Sequence, residues 1–150
     1  MKNLMVQTRA ASRPCCMIVD DNEDVLLLMR EIVAEFIDAD VRCFHSPQAA
    51  LAKFGAAPEA VGFVITDLEM PGMSGLELGE RLWKLSPSLK ILLATGSEIL
   101  TDGEAARKGF CGLLHKPFPF AALRRVLQAA GLSVIPAENN FSQFAPFTPA

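Results

Sequence analysis

The chain has 150 residues, 51% of them hydrophobic and 21% charged, with a formal net charge of −3. That length supports one domain with a core that needs no staples, and the apolar richness favours strands covered on both faces. The mild acidity without a basic cluster speaks against nucleic acid as a direct partner; no apolar run approaches the ~18 residues of a membrane helix, and residues 1–14 lack the apolar stretch of a secretory leader, so a cytoplasmic protein without membrane contact is expected.

Residues 1–14 are polar and aperiodic and read as a tail. Cys15–Val19 is a strand-length apolar run that ends at two acids. Glu23–Phe36 follows with Val25, Leu28, Met29, Ile32, Val33 and Phe36 at helical spacing. Val41–Phe44 is a second short strand, after which Ser46 caps a helix beginning at Pro47. Gly62–Thr66 is a third strand, Ser74–Leu85 a helix stopped before Pro87, and Leu89–Ala94 a fourth strand. Glu98–Lys108 reads as the next helix, ended by Gly109. Cys111–His115 is a fifth strand, and Pro119–Ala130 is a last helix closed by Gly131. The domain therefore spans 15–131, and residues 132–150 form an extended or disordered tail holding Pro136, Pro146 and Pro149. Alternation of five strands with five helices defines an α/β fold, a doubly wound parallel sheet with helices on both faces.

The cysteines at 15, 16, 43 and 111 fall in segments read as strands and show no metal-ligand spacing. Reduced, buried thiols are expected. His45 and His115 are read as surface or packing residues rather than ligands, and Trp83 as a core or interface aromatic. Phe141, Phe144 and Phe147 recur every three residues in the tail; a docking segment competes there with disorder or a domain junction.

In sheets of this kind the working site lies beyond the carboxyl ends of the strands. The first strand ends in Asp20 and Asp21, the third in Asp67, the fourth in Thr95 and the fifth in Lys116. The second contributes nothing comparable at His45 and Ser46, which suits an edge position. Three clustered carboxylates repel one another unless a cation holds them ionised. Oxygen ligands without His or Cys select a hard ion, Mg²⁺ first and Mn²⁺ as the alternative. An ammonium and a hydroxyl can pair with phosphoryl oxygens, and a carboxylate can attack phosphorus to form an acyl phosphate.

These segments resemble the response-regulator receiver family of two-component signalling. Met17-Ile18-Val19-Asp20-Asp21-Asn22-Glu23 is similar to its acidic opening, and Val64-Ile65-Thr66-Asp67-Leu68-Glu69-Met70-Pro71-Gly72-Met73-Ser74-Gly75 to its phosphoacceptor strand and loop. Leu92-Leu93-Ala94-Thr95-Gly96 matches the hydroxyl motif and Lys116-Pro117-Phe118 the lysine motif, so the resemblance covers roughly residues 15–130. It implies a receiver fold with strand order 2-1-3-4-5. It also implies Asp67 as the phosphorylated nucleophile, Asp21 as a direct Mg²⁺ ligand, Asp20 as a ligand largely through water, and Glu69 as a backbone-carbonyl ligand. Thr95 would move toward the phosphoryl group, Lys116 would contact it, and the Lys116–Pro117 bond would be cis. Leu113 stands where the family often has a switching aromatic, so the response would rest on Thr95 and the following loop, or be smaller.

The implied partners are a sensor histidine kinase or a histidine phosphotransfer domain, and a downstream protein target. A homodimer through the fourth helix, fifth strand and fifth helix is a further arrangement the family uses. Catalysis is confined to self-phosphorylation and its hydrolysis, so no turnover enzyme is expected. Only 20 residues follow Ala130, which points to a stand-alone receiver or the terminal receiver of a hybrid kinase. Two other readings compete. A pseudo-receiver would bind partners without phosphorylation and would not bind beryllofluoride. A Mg²⁺-dependent phosphohydrolase would act on small phosphate esters, but would need a second acid two residues beyond a nucleophile placed after the first strand.

Overall fold

The computed structural model describes residues 13–135. Expectations for residues 1–12 and 136–150, including docking by Phe141, Phe144 and Phe147, lie outside the described residues. Five strands, β1 (Cys15–Val19), β2 (Asp40–Phe44), β3 (Val61–Thr66), β4 (Lys90–Thr95) and β5 (Gly112–His115), alternate with five helices. These are α1 (Glu23–Phe36), α2 (Pro47–Ala56), α3 (Gly75–Leu85), α4 (Asp102–Arg107) and α5 (Phe120–Ala129), with one 3₁₀ turn at Pro58–Ala60. The sheet is parallel throughout, in the order β2-β1-β3-β4-β5, as expected. No helix of the described residues is long and apolar enough to cross a membrane.

The strands read as continuous apolar runs because alternate residues feed two cores. Met17, Val19, Val64, Ile91, Leu93 and Leu113 pack with Phe54, Leu78 and Leu82 from α2 and α3. Cys16, Ile18, Phe63, Ile65, Leu92 and Leu114 pack with Met29, Val33, Leu123 and Leu127 from α1 and α5. Each strand is thus pinned from both sides, which leaves its carboxyl end as a rigid mount.

Helix starts follow local chemistry. Asn22 Oδ1 accepts from the Val25 amide and Ser46 Oγ from the Ala49 amide, so each satisfies an orphan donor of its first turn. Replacing Ser46 by Ala is expected to lower stability by about 1 kcal/mol. A change of midpoint in urea unfolding measures this, and an unchanged midpoint would show the cap to be idle.

Some boundaries differ from those read in the sequence. Helix α4 begins at Asp102 rather than Glu98 because Thr101, not Ser97, is its cap: Thr101 Oγ1 accepts from the Glu104 amide and donates to the Glu104 carboxylate. Ser97 Oγ instead accepts from the Ile99 amide in a loop turn. Strand β4 runs one residue further, to Thr95, while β5 starts at Gly112, so Cys111 precedes it. In α1 the buried row is Leu26, Met29, Ile32, Val33 and Phe36, whereas Leu28 is 51% exposed.

All four cysteines are free thiols, Cys15 and Cys16 buried and Cys43 and Cys111 half-buried. Burial pushes each thiol above its usual range, most strongly Cys16, so none is a ready nucleophile. His45 and His115 are exposed. Trp83 is half-buried against Phe110, ring centroids 4.9 Å apart, with its Nε1–H donating to the Leu89 carbonyl.

Candidate functional site

Backbone hydrogen bonds continue the sheet one step past the strands and set the site residues in place. The Asp20 amide donates to Phe44 O, the Asp67 amide to Val19 O and the Lys116 amide to Thr95 O, at 3.1, 2.9 and 2.7 Å. Strand order reverses between β1 and β3, so the ends of these two strands flank the crevice where ligands bind in doubly wound sheets. Asp20 and Asp21 follow the first, Asp67 the second.

There the carboxylate oxygens of Asp20, Asp21 and Asp67 lie within 4.8 Å of one another. Asp20 is buried, Asp67 half-buried and Asp21 exposed. Asp20 Oδ1 accepts from the Asn22 amide at 2.9 Å, and Asp67 Oδ1 from the Leu68 amide at 2.7 Å. Asp20 and Asp67 therefore each have Oδ1 fixed by a backbone amide and Oδ2 on the side of Lys116. Lys116 Nζ lies 2.5 Å from Asp20 Oδ2 and 3.8 Å from Asp67 Oδ2. Its 20% exposed side chain lets it act as a strong charge partner.

One ammonium does not neutralise three carboxylates. Burial raises the Asp67 carboxyl above the ordinary carboxylate value, Lys116 pulls it down, and Asp20 pushes it up again. The Leu68 amide and the Thr95 hydroxyl draw it down further. The donor set, all carboxylate oxygen with no His or Cys, fits a small hard divalent ion and supplies the negative charge to hold it.

Other expected site residues are placed as follows. Thr95 is the buried last residue of β4, and its Oγ1 accepts from the Ser97 amide at 3.1 Å, so in this state the hydroxyl also shapes the following loop. Glu69 is exposed and its side chain is outside the carboxylate group. Leu113 is buried on the α2–α4 side of the sheet. The Lys116–Pro117 peptide is cis.

Three contributors were not singled out in the sequence. Thr66 is fully buried and its Oγ1 donates to the Asp67 carbonyl at 3.0 Å. Asn22 joins Asp20 to the start of α1. Gly75 lies so close to the Asp67 peptide that a Cβ there would fall 2.2 Å from the Asp67 carbonyl oxygen. The glycine in the loop motif was the available signal for the last of these, and its role is close approach rather than turn geometry.

The family described as "Response regulator receiver domain" matches residues 16–128, and the chain belongs to that family. It is 33% identical over 121 residues to the C4-dicarboxylate transport transcriptional regulatory protein DctD of Rhizobium meliloti, covering 80% of this chain and 25% of that protein. It is 30% identical over 123 residues to the transcriptional regulatory protein FixJ of the same organism, covering 81% and 58%. The chain thus spans between a quarter and just over half the length of these relatives.

Among solved structures, the signal receiver domain of an HD domain-containing protein from Pseudomonas fluorescens Pf-5 superposes with a TM-score of 0.69 at 27% identity, covering 79% of this chain and 94% of that one. The Vibrio cholerae chemotaxis protein CheY4 superposes with a TM-score of 0.69 at 24% identity, covering 79% and 99%, a likeness of fold.

Proposed function

We propose that Asp67 accepts a phosphoryl group from a phosphohistidine of a sensor kinase or phosphotransfer domain, and that residues 15–131 form the module that responds to it. The observation that carries this reading is the meeting of the Asp20, Asp21 and Asp67 carboxylates with Lys116 at the switch point of the sheet. Asp67 Oδ1 is held by the Leu68 amide, which leaves Oδ2, the oxygen nearer Lys116, to attack phosphorus. As the new P–O bond forms, the P–N bond to the donor histidine breaks and its electron pair returns to the imidazole. Lys116 and the Thr95 hydroxyl then pair with phosphoryl oxygens.

Asp20, Asp21, Asp67 and the Glu69 backbone carbonyl would hold Mg²⁺, which when bound offsets the charge shared by carboxylates and phosphoryl group. The protein runs transfer and hydrolysis on itself and turns over no separate substrate. The response is a move of Thr95 that gives up its bond from the Ser97 amide and draws the 96–101 loop toward the site. Leu113 has no polar tip to be exchanged between buried and exposed positions, so this loop carries the signal to the face of α4, β5 and α5.

The test is intact-protein mass spectrometry after incubation with acetyl phosphate and Mg²⁺. A gain of one phosphoryl mass that is lost with a chelator is expected. No gain, or a gain that survives Asp67→Asn, would overturn the assignment. Ligand ranking gives a second prediction. Asp20 already shares its charge with Lys116 at 2.5 Å, whereas Asp21 has no ion-pair partner among the described residues. Asp21→Asn should therefore weaken Mg²⁺ binding more than Asp20→Asn, by about tenfold against a few-fold. Titration followed by NMR decides it, and equal losses would reverse the ranking.

A further inference from the structure

Thr66 ends β3, a place where valine would serve the strand as well, and it is fully buried. Val19 of β1 and Leu93 of β4 flank it in register. Strand alternation puts its side chain with Val64 on the α2–α3 face of the sheet. A hydroxyl in that setting has no water to turn to and needs a partner in the protein. The partner is the carbonyl of the next residue: Thr66 Oγ1 donates to Asp67 O at 3.0 Å. No backbone amide of the described residues donates to the same oxygen.

That bond reaches the carboxylate through one rigid unit. A trans peptide is planar, with its C=O and N–H opposed. Holding the Asp67 oxygen toward Thr66 therefore aims the Leu68 N–H the other way, where it donates to Asp67 Oδ1 at 2.7 Å. The preceding peptide is fixed as well, by the bond from the Asp67 amide to Val19 O at 2.9 Å. Gly75 leaves free the space into which the Asp67 carbonyl projects. With Oδ1 tied, Oδ2 is the oxygen left 3.8 Å from Lys116 Nζ. Lys116 and the Thr95 hydroxyl turn to phosphoryl oxygens after transfer, so the Leu68 amide is the contact that stays with the acyl end.

We propose that Thr66 is a positioning residue for phosphoryl transfer, an inference that rests on Asp67 being the acceptor. Its hydroxyl fixes the 67–68 peptide, and that peptide fixes which carboxylate oxygen faces the incoming phosphorus. Without the hydroxyl the peptide is free to tilt and the carboxylate to turn, so fewer encounters start from an attacking geometry.

Three substitutions separate the hydroxyl from the methyl group. Thr66→Ser keeps the hydroxyl and loses the methyl, Thr66→Val does the reverse, and Thr66→Ala loses both. Labelling by acetyl phosphate and Mg²⁺, followed by intact mass, should slow about tenfold in Thr66→Val and Thr66→Ala and stay within about twofold of the parent in Thr66→Ser. Urea midpoints should fall in both Thr66→Ser and Thr66→Ala, which share the methyl-sized hole, so a rate that merely followed stability would fall in both. That comparison stands even where Thr66→Val does not fold. The Leu68 amide proton, read by NMR in chelator, should lie downfield in the parent and in Thr66→Ser and move upfield in the other two. A parent that takes up no phosphoryl group overturns the acceptor reading and this role with it. With a labelled parent, the role of Thr66 alone is overturned by any of three results: Thr66→Val and Thr66→Ala reacting at the parent's rate, Thr66→Ser as slow as Thr66→Ala, or a Leu68 amide that does not move.

Discussion

Substituting Gly75 by alanine is expected to destabilise the protein by about 3 kcal/mol, the upper part of the range for overpacking, and to abolish phosphoryl labelling at Asp67. The added Cβ would lie 2.2 Å from the Asp67 carbonyl oxygen and 3.1 Å from the Asp67 carbonyl carbon and Leu68 Cα. These are backbone atoms, so no rotamer change can clear the space. Helix α3 is anchored by Leu78 and Leu82, both fully buried, so the 67–68 peptide is the part that yields. That peptide carries the Thr66 hydroxyl on its oxygen and the Asp67 carboxylate on its Leu68 amide, so its displacement reaches the acid directly. The Gly75 amide bond to Leu68 O, 2.8 Å long, would be lost with it. Gly96 provides the control, since a Cβ there meets nothing within 4 Å, and Gly96→Ala should stay within about 0.5 kcal/mol of the parent. Urea midpoints and mass-spectrometric labelling read both effects. Equal midpoints for the two variants would show that the loop accommodates the methyl group and that Gly75 does not set the site.

Gly75 also illustrates what a linear reading of this chain leaves out. Its neighbours Pro71, Gly72 and Ser74 carry ordinary turn and cap signals, and Gly72 does adopt a positive φ of 82°. Nothing local distinguishes a glycine needed for backbone conformation from one needed because another peptide passes through the space of its Cβ. The strands, by contrast, were legible because burial on both faces produces short apolar runs that punctuation makes easy to delimit, whereas their order in the sheet came only with the family resemblance. The acidic site was legible for a related reason: each of its residues directly follows or ends such a run, so finding the strands also finds the rim.

Misreadings cluster where two local solutions compete and packing decides. Ser97 and Thr101 are both competent caps, and the choice of Thr101 buries Leu100 at 5% exposure while leaving Ile99 at 75%. Leu28 obeys the helical period as well as Leu26, yet the arc that faces the sheet is centred on Met29 and Val33 and excludes it. The expectation that Lys116 contacts the phosphoryl group is not one of these misreadings; in this structure its ammonium pairs with Asp20 and lies 3.8 Å from Asp67. The sequence names the functional groups; only the assembled sheet says which of them are paired at rest.

Asp67→Asn should invert the stability order of parent and variant when Mg²⁺ is added. Burial and the nearby Asp20 raise the Asp67 carboxyl above its ordinary value despite Lys116. An acid whose folded-state pKa is raised holds its proton more tightly when folded, so its ionised form disfavours the folded state. The penalty is complete above the folded value and disappears as pH falls through it toward the ordinary value of about 3.9. Asparagine removes the charge and keeps an oxygen for the Leu68 amide, so without metal the variant should be the more stable at pH 7, with no such advantage below about pH 3.5. Mg²⁺ at a hundredfold excess over its dissociation constant should stabilise the parent by about 2.7 kcal/mol, roughly 8 °C for a chain of this size. The variant lacks the third carboxylate and should gain only a small fraction of this, and it should take up no phosphoryl group. Thermal unfolding in chelator and in Mg²⁺ gives four midpoints. A variant less stable than the parent in chelator at pH 7 would mean that Lys116 already more than offsets the burial and repulsion at Asp67. Equal Mg²⁺ gains in both proteins would mean that the ion sits elsewhere and that the carboxylate group at the head of β1 and β3 is not its site.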